Sequence, residues 1–203
     1  MEFNQITLLM NGYTSEQMNC VASVLEETSC CIKGIAVKLN SEEDLKVVDQ
    51  LIEVHGKSLD IGVSGVKNMK EVQLALDSDI DFMISAGMMT PEMLVVLRVN
   101  HVTAISGAMT PSEIENSIVN GANVIGVFPA GAMNLNYASM LKSAMGDMKL
   151  MAIGGINKKN VHYALSGGYD YVLIEDSIFN QEDIKSCNVN NLKKSLKEFE
   201  ELL

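Results

Sequence analysis

The chain has 203 residues, of which 47% are hydrophobic and 20% are charged, and its formal net charge is −11. This length and composition are typical of one globular domain with a sizeable core. The acidic balance argues against a nucleic-acid-binding protein, which needs a basic surface. The sequence also has no basic amphipathic stretch and no apolar run of the roughly 18 residues that span a membrane, so we expect neither nucleic acid nor membrane as a partner.

The N-terminus and the cysteines indicate the compartment. Residues 1–5 show neither the basic segment nor the cleavage site of a signal peptide, so we expect a cytoplasmic protein. The four cysteines are Cys20, Cys30, Cys31 and Cys187, with no Cys-x-x-Cys spacing and no histidine pattern beside them. We therefore expect free thiols rather than a disulfide framework or a metal site.

Short apolar runs rich in β-branched residues alternate with helical patterns along the whole chain. Eight of these runs predict strands, namely Ile6–Met10, Gly34–Leu39, Leu59–Ser64, Phe82–Ser85, Val102–Ser106, Val124–Phe128, Leu150–Ile153 and Tyr171–Ile174. The segments between them carry helix-start signals, of which Thr90-Pro91 and Thr110-Pro111 are the clearest because each places a capping threonine before a proline. The last segment, Asn191–Leu203, has the apolar stripe of an amphipathic helix.

Eight strand–helix units with short loops predict an α/β fold, a single (β/α)₈ TIM barrel over residues 1–203. The alternative is an open doubly wound sheet. That fold should carry a glycine-rich loop after its first strand, and Met10-Asn11-Gly12-Tyr13 fits this requirement poorly. In a barrel, the active site lies at the carboxyl ends of the strands, where inward-facing side chains alternate with outward-facing ones.

Four short sequence segments follow one another along the chain. Each segment alone is a weak signal, but their order and spacing together are characteristic of one family. The segments are Phe82-Met83-Ile84-Ser85-Ala86-Gly87 with Thr90-Pro91-Glu92, then Ile105 to Glu113, then Val127-Phe128-Pro129-Ala130, then Ile153-Gly154-Gly155-Ile156. The set resembles the class I 2-keto-3-deoxy-6-phosphogluconate / 4-hydroxy-2-oxoglutarate aldolases. The resemblance implies a carbon–carbon lyase that needs no metal or other cofactor, a Schiff base between a lysine and pyruvate, and a homotrimer.

The charged positions of that family differ in this chain. The resemblance places the imine-forming lysine at Gly126, the acid/base glutamate at Ala36, and two arginines at Asn40 and Asn11. Glycine cannot form an imine, alanine has no proton to transfer, and an amide cannot neutralise a carboxylate. The standard reaction is therefore not expected, and a pseudoenzyme is one interpretation.

The positions at which the family binds the phosphate of its substrate also differ in part. Gly154 and Gly155 can still offer backbone N–H groups, but Glu175 and Asp176 stand where the family commonly has Gly-Ser. Two carboxylates would repel a phosphate, and the only arginine of the chain is Arg98. We do not expect a 6-phosphorylated substrate. A phosphate-binding barrel of the ribulose-phosphate type fits the glycines but not the acidic pair.

Lys38 is a charged residue at a position where the family has a threonine. The side chain at this position should face the barrel interior. One interpretation, which we favour on sequence alone, is that its ammonium reaches the mouth or pairs with Glu175 or Asp176. The other is that Lys38 is a relocated imine-forming lysine.

Two functions follow from these residues. The first is a divergent keto-acid aldolase that uses Lys38 on a small keto acid such as pyruvate, and the second is a non-catalytic barrel that binds a small metabolite or serves as a scaffold. The candidate substrate-binding residues are Asn11, Asn40, Ser64, Ser85, Ser106, Phe128, Gly154, Gly155, Glu175 and Asp176. No metal site and no cofactor are expected.

Overall fold

The structure is a computed structural model that describes residues 5–28 and 30–203. Residues 1–4, which carry most of the N-terminal expectation, lie outside the described part. The strands are β1 (Ile6–Met10), β2 (Ile32–Lys38), β3 (Asp60–Ser64), β4 (Phe82–Ile84), β5 (Thr103–Ala108), β6 (Val124–Val127), β7 (Leu150–Ala152) and β8 (Tyr171–Glu175). The helices are α1 (Ser15–Glu27), α2 (Glu43–His55), α3 (Met69–Ala75), α4 (Pro91–Val99), α5 (Pro111–Val119), α6 (Tyr137–Met145), α7 (Val161–Ser166), α8 (Gln181–Lys185) and α9 (Val189–Glu200).

The strands form a closed parallel barrel. Each strand pairs with the next along the chain, and β8 pairs with β1 to close the circle. Helices alternate with the strands, which is consistent with a (β/α)₈ barrel. The prediction of an eight-stranded α/β barrel is confirmed, and the open doubly wound sheet is wrong because β1 has a partner on both sides.

The strand bounds agree with the predicted ones to within one residue, except in two strands. β2 begins at Ile32 rather than Gly34, and β5 continues to Ala108 rather than ending at Ser106. The capping predictions are also confirmed, since Thr90 and Thr110 each accept a hydrogen bond from the backbone at the start of their helix. Such caps stabilise a helix by about 1 kcal/mol each.

Apolar side chains form two layers of core. The larger layer lies between the barrel and the surrounding helices, and it includes the buried stripe of α9. The smaller layer fills the barrel itself with side chains that alternate with the outward-facing ones. Its buried members are Ala36, Phe82, Ile84, Ile105, Val124, Met151, Ile153 and Leu173. The barrel is therefore a packed core and not a pore.

The expectation of free cysteines is wrong for one pair. Cys20 on α1 forms a disulfide with Cys187, which lies in the link between α8 and α9. Only Cys30 and Cys31 are free among the described residues, and Cys30 is buried. The pair was missed because the two cysteines are 167 residues apart, and only the closure of β8 on β1 brings α1 beside the last two helices.

The described residues contain no helix that is long and apolar enough to cross a membrane. In the same residues, no three His, Cys, Asp or Glu side chains come together in a way that could hold a metal ion.

Candidate functional site

A cavity of about 160 Å³ opens at the carboxyl ends of the strands. This cavity, which we call the mouth, is lined by Leu9, Lys38, Ser64, Gly65, Ile84, Ala86, Phe128, Ile153, Gly154, Leu173 and Glu175. A groove of about 920 Å³ is larger, but it lies outside the barrel between α7 and α9. We place the site at the mouth because barrel enzymes build their active sites at this end of the strands.

Lys38 is the last residue of β2, and its side chain is half-buried in the wall of the mouth. Its neighbour across the sheet is Ser64 on β3. The Lys38 side chain runs past Gly65, where an added methyl group would lie 3.6 Å from Cγ and 3.8 Å from Cε of the lysine. Of the two placements expected for Lys38, the structure has the one in which the side chain reaches the mouth. None of the ion pairs of the described residues involves Lys38.

The two neighbouring carboxylates on the β8 side are directed to different places. Glu175 lines the mouth, and its Oε1 accepts a hydrogen bond from the backbone N–H of Gly155 at 3.4 Å. Asp176 does not line the mouth, because its carboxylate accepts a hydrogen bond from the hydroxyl of Tyr13 at the start of α1. Burial, together with this carboxylate, raises the pKa of Tyr13 well above its ordinary value. The structure therefore brings Glu175 into the lining of the mouth and leaves Asp176 outside it.

The three candidate serines lie in different surroundings. Ser64 lines the mouth, whereas Ser85 and Ser106 do not. Ser106 is fully buried, and its hydroxyl accepts from the backbone N–H of Met89 at 3.0 Å and lies 3.3 Å from the Ser117 hydroxyl on α5. The side chains of Ile84 and Ile105 occupy the barrel interior, so the next residue on each strand points to the helices. The structure therefore does not bring Ser85 and Ser106 to the lining of the mouth.

Asn11 and Asn40 are exposed and lie at the rim, outside the lining of the mouth. The Asn40 side-chain amide donates to Oδ1 of Asn11 at 3.0 Å, so the two amides bind each other. The backbone N–H of Asn40 donates to the carboxylate of Asp44 at 2.8 Å, which fixes the start of α2. The hydrogen bond between Asn40 and Asn11 therefore joins the loop after β1 to the loop after β2.

Phe128 and the two glycines after β7 form the opposite side of the mouth. The Phe128 ring lies over Gly154, where an added methyl group would come within 2.6 Å of the ring. Gly154 and Gly155 both have positive φ angles, +80° and +74°, which other residues rarely adopt. Phe128 and Gly154 line the mouth, and Gly155 lies behind them, bound to Glu175.

The positions of Gly126 and Ala36 both face the barrel interior. A methyl group on Gly126 would collide with Cδ1 of Ile153 and lie 3.3 Å from Cγ2 of Ile105, so the space in front of Gly126 is filled. Ala36 is fully buried in the interior core. β6 carries no lysine and β2 carries no carboxylate.

Several residues of the site were not singled out from the sequence. The most important is Ile153, which both blocks Gly126 and lines the mouth. Leu9 and Leu173 also line it. The signal that could have identified them is the alternation of inward and outward positions on each strand, continued one residue beyond the strand end.

Comparison with known proteins places the chain. The family described as KDPG and KHG aldolase matches residues 10–195. A KDPG aldolase from Legionella pneumophila, solved with pyruvate captured as a covalent carbinolamine, superposes with a TM-score of 0.84 at 22% identity, covering 97% of this chain and 94% of that one. The 2-keto-3-deoxy-6-phosphogluconate aldolase of Zymomonas mobilis gives a TM-score of 0.76 at 16% identity, with 95% and 92% covered.

A third structure is a cube-shaped protein cage that was designed by fusing symmetric oligomeric domains. It gives a TM-score of 0.83 at 16% identity, covering 98% of this chain and 73% of that one. No curated protein sequence gives a significant match. At these identities the superpositions show the fold alone, but the family match extends over nearly the whole chain. The chain therefore belongs to the KDPG and KHG aldolase family.

Proposed function

We propose that the chain holds a small carbonyl compound at the barrel mouth as an imine on Lys38, and that it is a metal-independent carbon–carbon lyase of the class I type. The observation that carries this proposal is the placement of Lys38. Of the described residues that line the mouth, Lys38 is the only one with an amine, and no carboxylate of the described residues forms an ion pair with it.

The standard family reaction does not fit this chain. Gly126 provides no amine, Ala36 provides no proton, and Ile153 fills the space that a side chain at position 126 would need. Lys38 lies two residues after Ala36 on β2, so both side chains are on the inward face and Lys38 is closer to the rim. The amine is thus moved to another strand of the same mouth.

The chemistry needs one nucleophile and one proton carrier. The Lys38 nitrogen attacks the carbonyl carbon, the carbonyl oxygen leaves as water, and the iminium that forms keeps the positive charge of the lysine. The iminium then accepts the electron pair of the carbon–carbon bond that breaks. Glu175 is the carboxylate that lines the mouth, and it moves protons directly or through a water molecule.

The Legionella relative supports this proposal in one respect, because it holds pyruvate as a covalent carbinolamine. A carbinolamine is the adduct that precedes an imine. The resemblance implies a small keto acid as the substrate. For the ligand of this chain we propose only that it has the same reacting group, a carbonyl.

The test is reductive trapping. The protein is incubated with borohydride and each of several small ketones and aldehydes, including pyruvate, and the modified peptide is identified by mass spectrometry. We expect an adduct on Lys38, none in Lys38→Ala, and an unchanged adduct in Lys67→Ala, which removes an exposed lysine near the same end of the barrel. No adduct with any compound, or an adduct that survives in Lys38→Ala, would overturn the proposal.

A second candidate is a barrel that binds its carbonyl ligand without turnover. The observation that favours it is Ala36, which leaves β2 without an acid beside Lys38. An adduct on Lys38 together with no cleavage of any aldol compound of the trapped ketones would select this candidate. Cleavage that is lost in Lys38→Ala would select the lyase.

We also propose that the chain assembles as a homotrimer, as the family resemblance implies. The designed cage built from symmetric oligomeric domains supports assembly of this fold. Light scattering coupled to size-exclusion chromatography measures the mass directly. A monomer at micromolar concentration would contradict the trimer.

A further inference from the structure

We infer that the carbonyl compound held by Lys38 is small and uncharged, a short-chain aldehyde or ketone, and not a keto acid or a phosphorylated sugar derivative. This inference rests on the proposed function, because it names the substrate class of the same site. It departs from the charged substrate that the family resemblance implies. Four features of the mouth support it.

The first feature is size. The mouth encloses about 160 Å³, whereas pockets for drug-sized ligands begin at roughly 300 Å³. A three- to five-carbon compound fits this space. A six-carbon chain with a terminal phosphate would have to leave its phosphate outside the mouth.

The second feature is the balance of charge. Lys38 and Glu175 are the only described residues with ionisable side chains that line the mouth. The iminium keeps the single positive charge, and the Glu175 carboxylate, which lines the same cavity without an ion pair to Lys38, makes the mouth neutral overall. A carboxylate on the ligand would add an unbalanced negative charge close to Glu175, and the repulsion is moderate because Glu175 is exposed to solvent while Lys38 is half-buried.

The third feature is that several groups able to bind an anion are already in use or lie away from the mouth. The N–H of Gly155 donates to Glu175, so a carboxylate of the chain itself occupies that backbone donor. The amides of Asn11 and Asn40 bind each other at the rim. Arg98 lies on α4, beside Gly121, and the last turn of a barrel helix is at the end opposite the mouth.

The fourth feature is the composition of the walls. Leu9, Ile84, Ile153 and Leu173 present alkyl side chains to the mouth, and Phe128 covers one side. The neutral polar side chain among these walls is that of Ser64, which is placed next to Lys38 across the sheet. Such walls favour an alkyl chain with one carbonyl group, since apolar surface is removed from water when it binds.

The test compares matched pairs of compounds in the trapping reaction. Butanone and pyruvate differ mainly in the carboxylate, and glyceraldehyde and glyceraldehyde 3-phosphate differ in the phosphate. Each rate of adduct formation on Lys38 is divided by the rate for N-acetyl-lysine with the same compound, which removes intrinsic reactivity. We expect the normalised rate for the neutral member of each pair to be at least tenfold higher.

A charge variant tests the cause. Glu175→Gln removes the negative charge and also changes the group that moves protons, so the readout is the ratio of the normalised rates for pyruvate and butanone. We expect this ratio to rise at least threefold in Glu175→Gln and to stay unchanged in Glu182→Gln, which alters an exposed residue on α8. A normalised rate for pyruvate equal to or above that for butanone overturns this inference alone. A ratio of the pyruvate rate to the butanone rate that stays unchanged in Glu175→Gln also overturns it. If no compound modifies Lys38, the proposed function falls and this inference falls with it.

Discussion

The two walls of the mouth differ in what lies on their inward-facing positions. On the β6–β7 wall, Gly126 faces Ile153, which fills the space in front of it. On the β2–β3 wall, Lys38 and Ser64 stand side by side and line the open cavity. Both walls belong to one barrel and meet at one end of it. A single apolar neighbour can therefore close one position of a mouth while a polar position elsewhere in the same mouth stays open.

A substitution at Ile153, in the β6–β7 wall, should cause the largest loss of stability. Ile153→Ala removes a buried side chain of the interior core, and we expect a loss of about 2–5 kcal/mol in the free energy of unfolding. Urea denaturation followed by circular dichroism measures this loss. Val119→Ala is the control, because Val119 is 78% exposed and its truncation should cost less than about 0.5 kcal/mol. A loss below 1 kcal/mol for Ile153→Ala would contradict the packed wall.

The end of β8 carries two carboxylates with different surroundings, because Asp176 is bound to Tyr13 and Glu175 lines the mouth. Tyr13→Phe removes the hydrogen bond to Asp176, so we expect a loss of about 1.5 kcal/mol in stability at neutral pH and no change in the trapping of carbonyl compounds. A change in the rate of adduct formation on Lys38 would instead place Asp176 in the site.

The stability difference between the natural chain and Tyr13→Phe should depend on pH in one direction. The pKa of Tyr13 is raised in the folded protein, so its contribution to stability is complete below the ordinary tyrosine value of about 10 and is lost as the pH rises above it. Burial also raises the pKa of Cys31 to about 11 and of Tyr169 to about 12, so the whole protein should weaken in this range. We expect the difference in stability between the natural chain and Tyr13→Phe to shrink between pH 9 and pH 11. A constant difference would contradict the assignment.

The smallest expected effect concerns Gly126. Gly126→Ala brings a methyl group against Cδ1 of Ile153, and because this atom is the end of a side chain that can rotate, we expect a cost of about 1 kcal/mol. Gly87→Ala is the matched control, since a methyl group there meets nothing within 4 Å. The double variant Gly126→Ala, Ile153→Val should recover part of the loss if the two residues are in contact. Equal stability of Gly126→Ala and Gly87→Ala would mean that the wall is not filled.

The fold was largely predictable from the sequence because each of its signals is local. The strand runs and the Thr-Pro caps depend on neighbouring residues, and the structure reproduces them to within a few residues. The number of strands then leaves a closed barrel as the natural arrangement.

The site was predictable only in part, because its composition depends on which way each side chain points and on distant partners. The inward position of Lys38 follows from the register of β2, whereas the burial of Ser106 against Ser117 follows from the opposite face of β5. The bond from Tyr13 to Asp176 joins residues 163 apart, and no local pattern indicates it. Side-chain alternation was a usable signal, and long-range pairing was not.

The disulfide between Cys20 and Cys187 has a consequence for the connectivity of the whole chain. It makes a covalent ring that contains seven of the eight strands, β2 to β8, while β1 and α9 lie outside the ring. A protease that cuts once in any surface loop of this ring therefore produces two fragments that stay joined. In a gel without reducing agent the nicked protein should keep its full mass, and only a reductant should release the pieces.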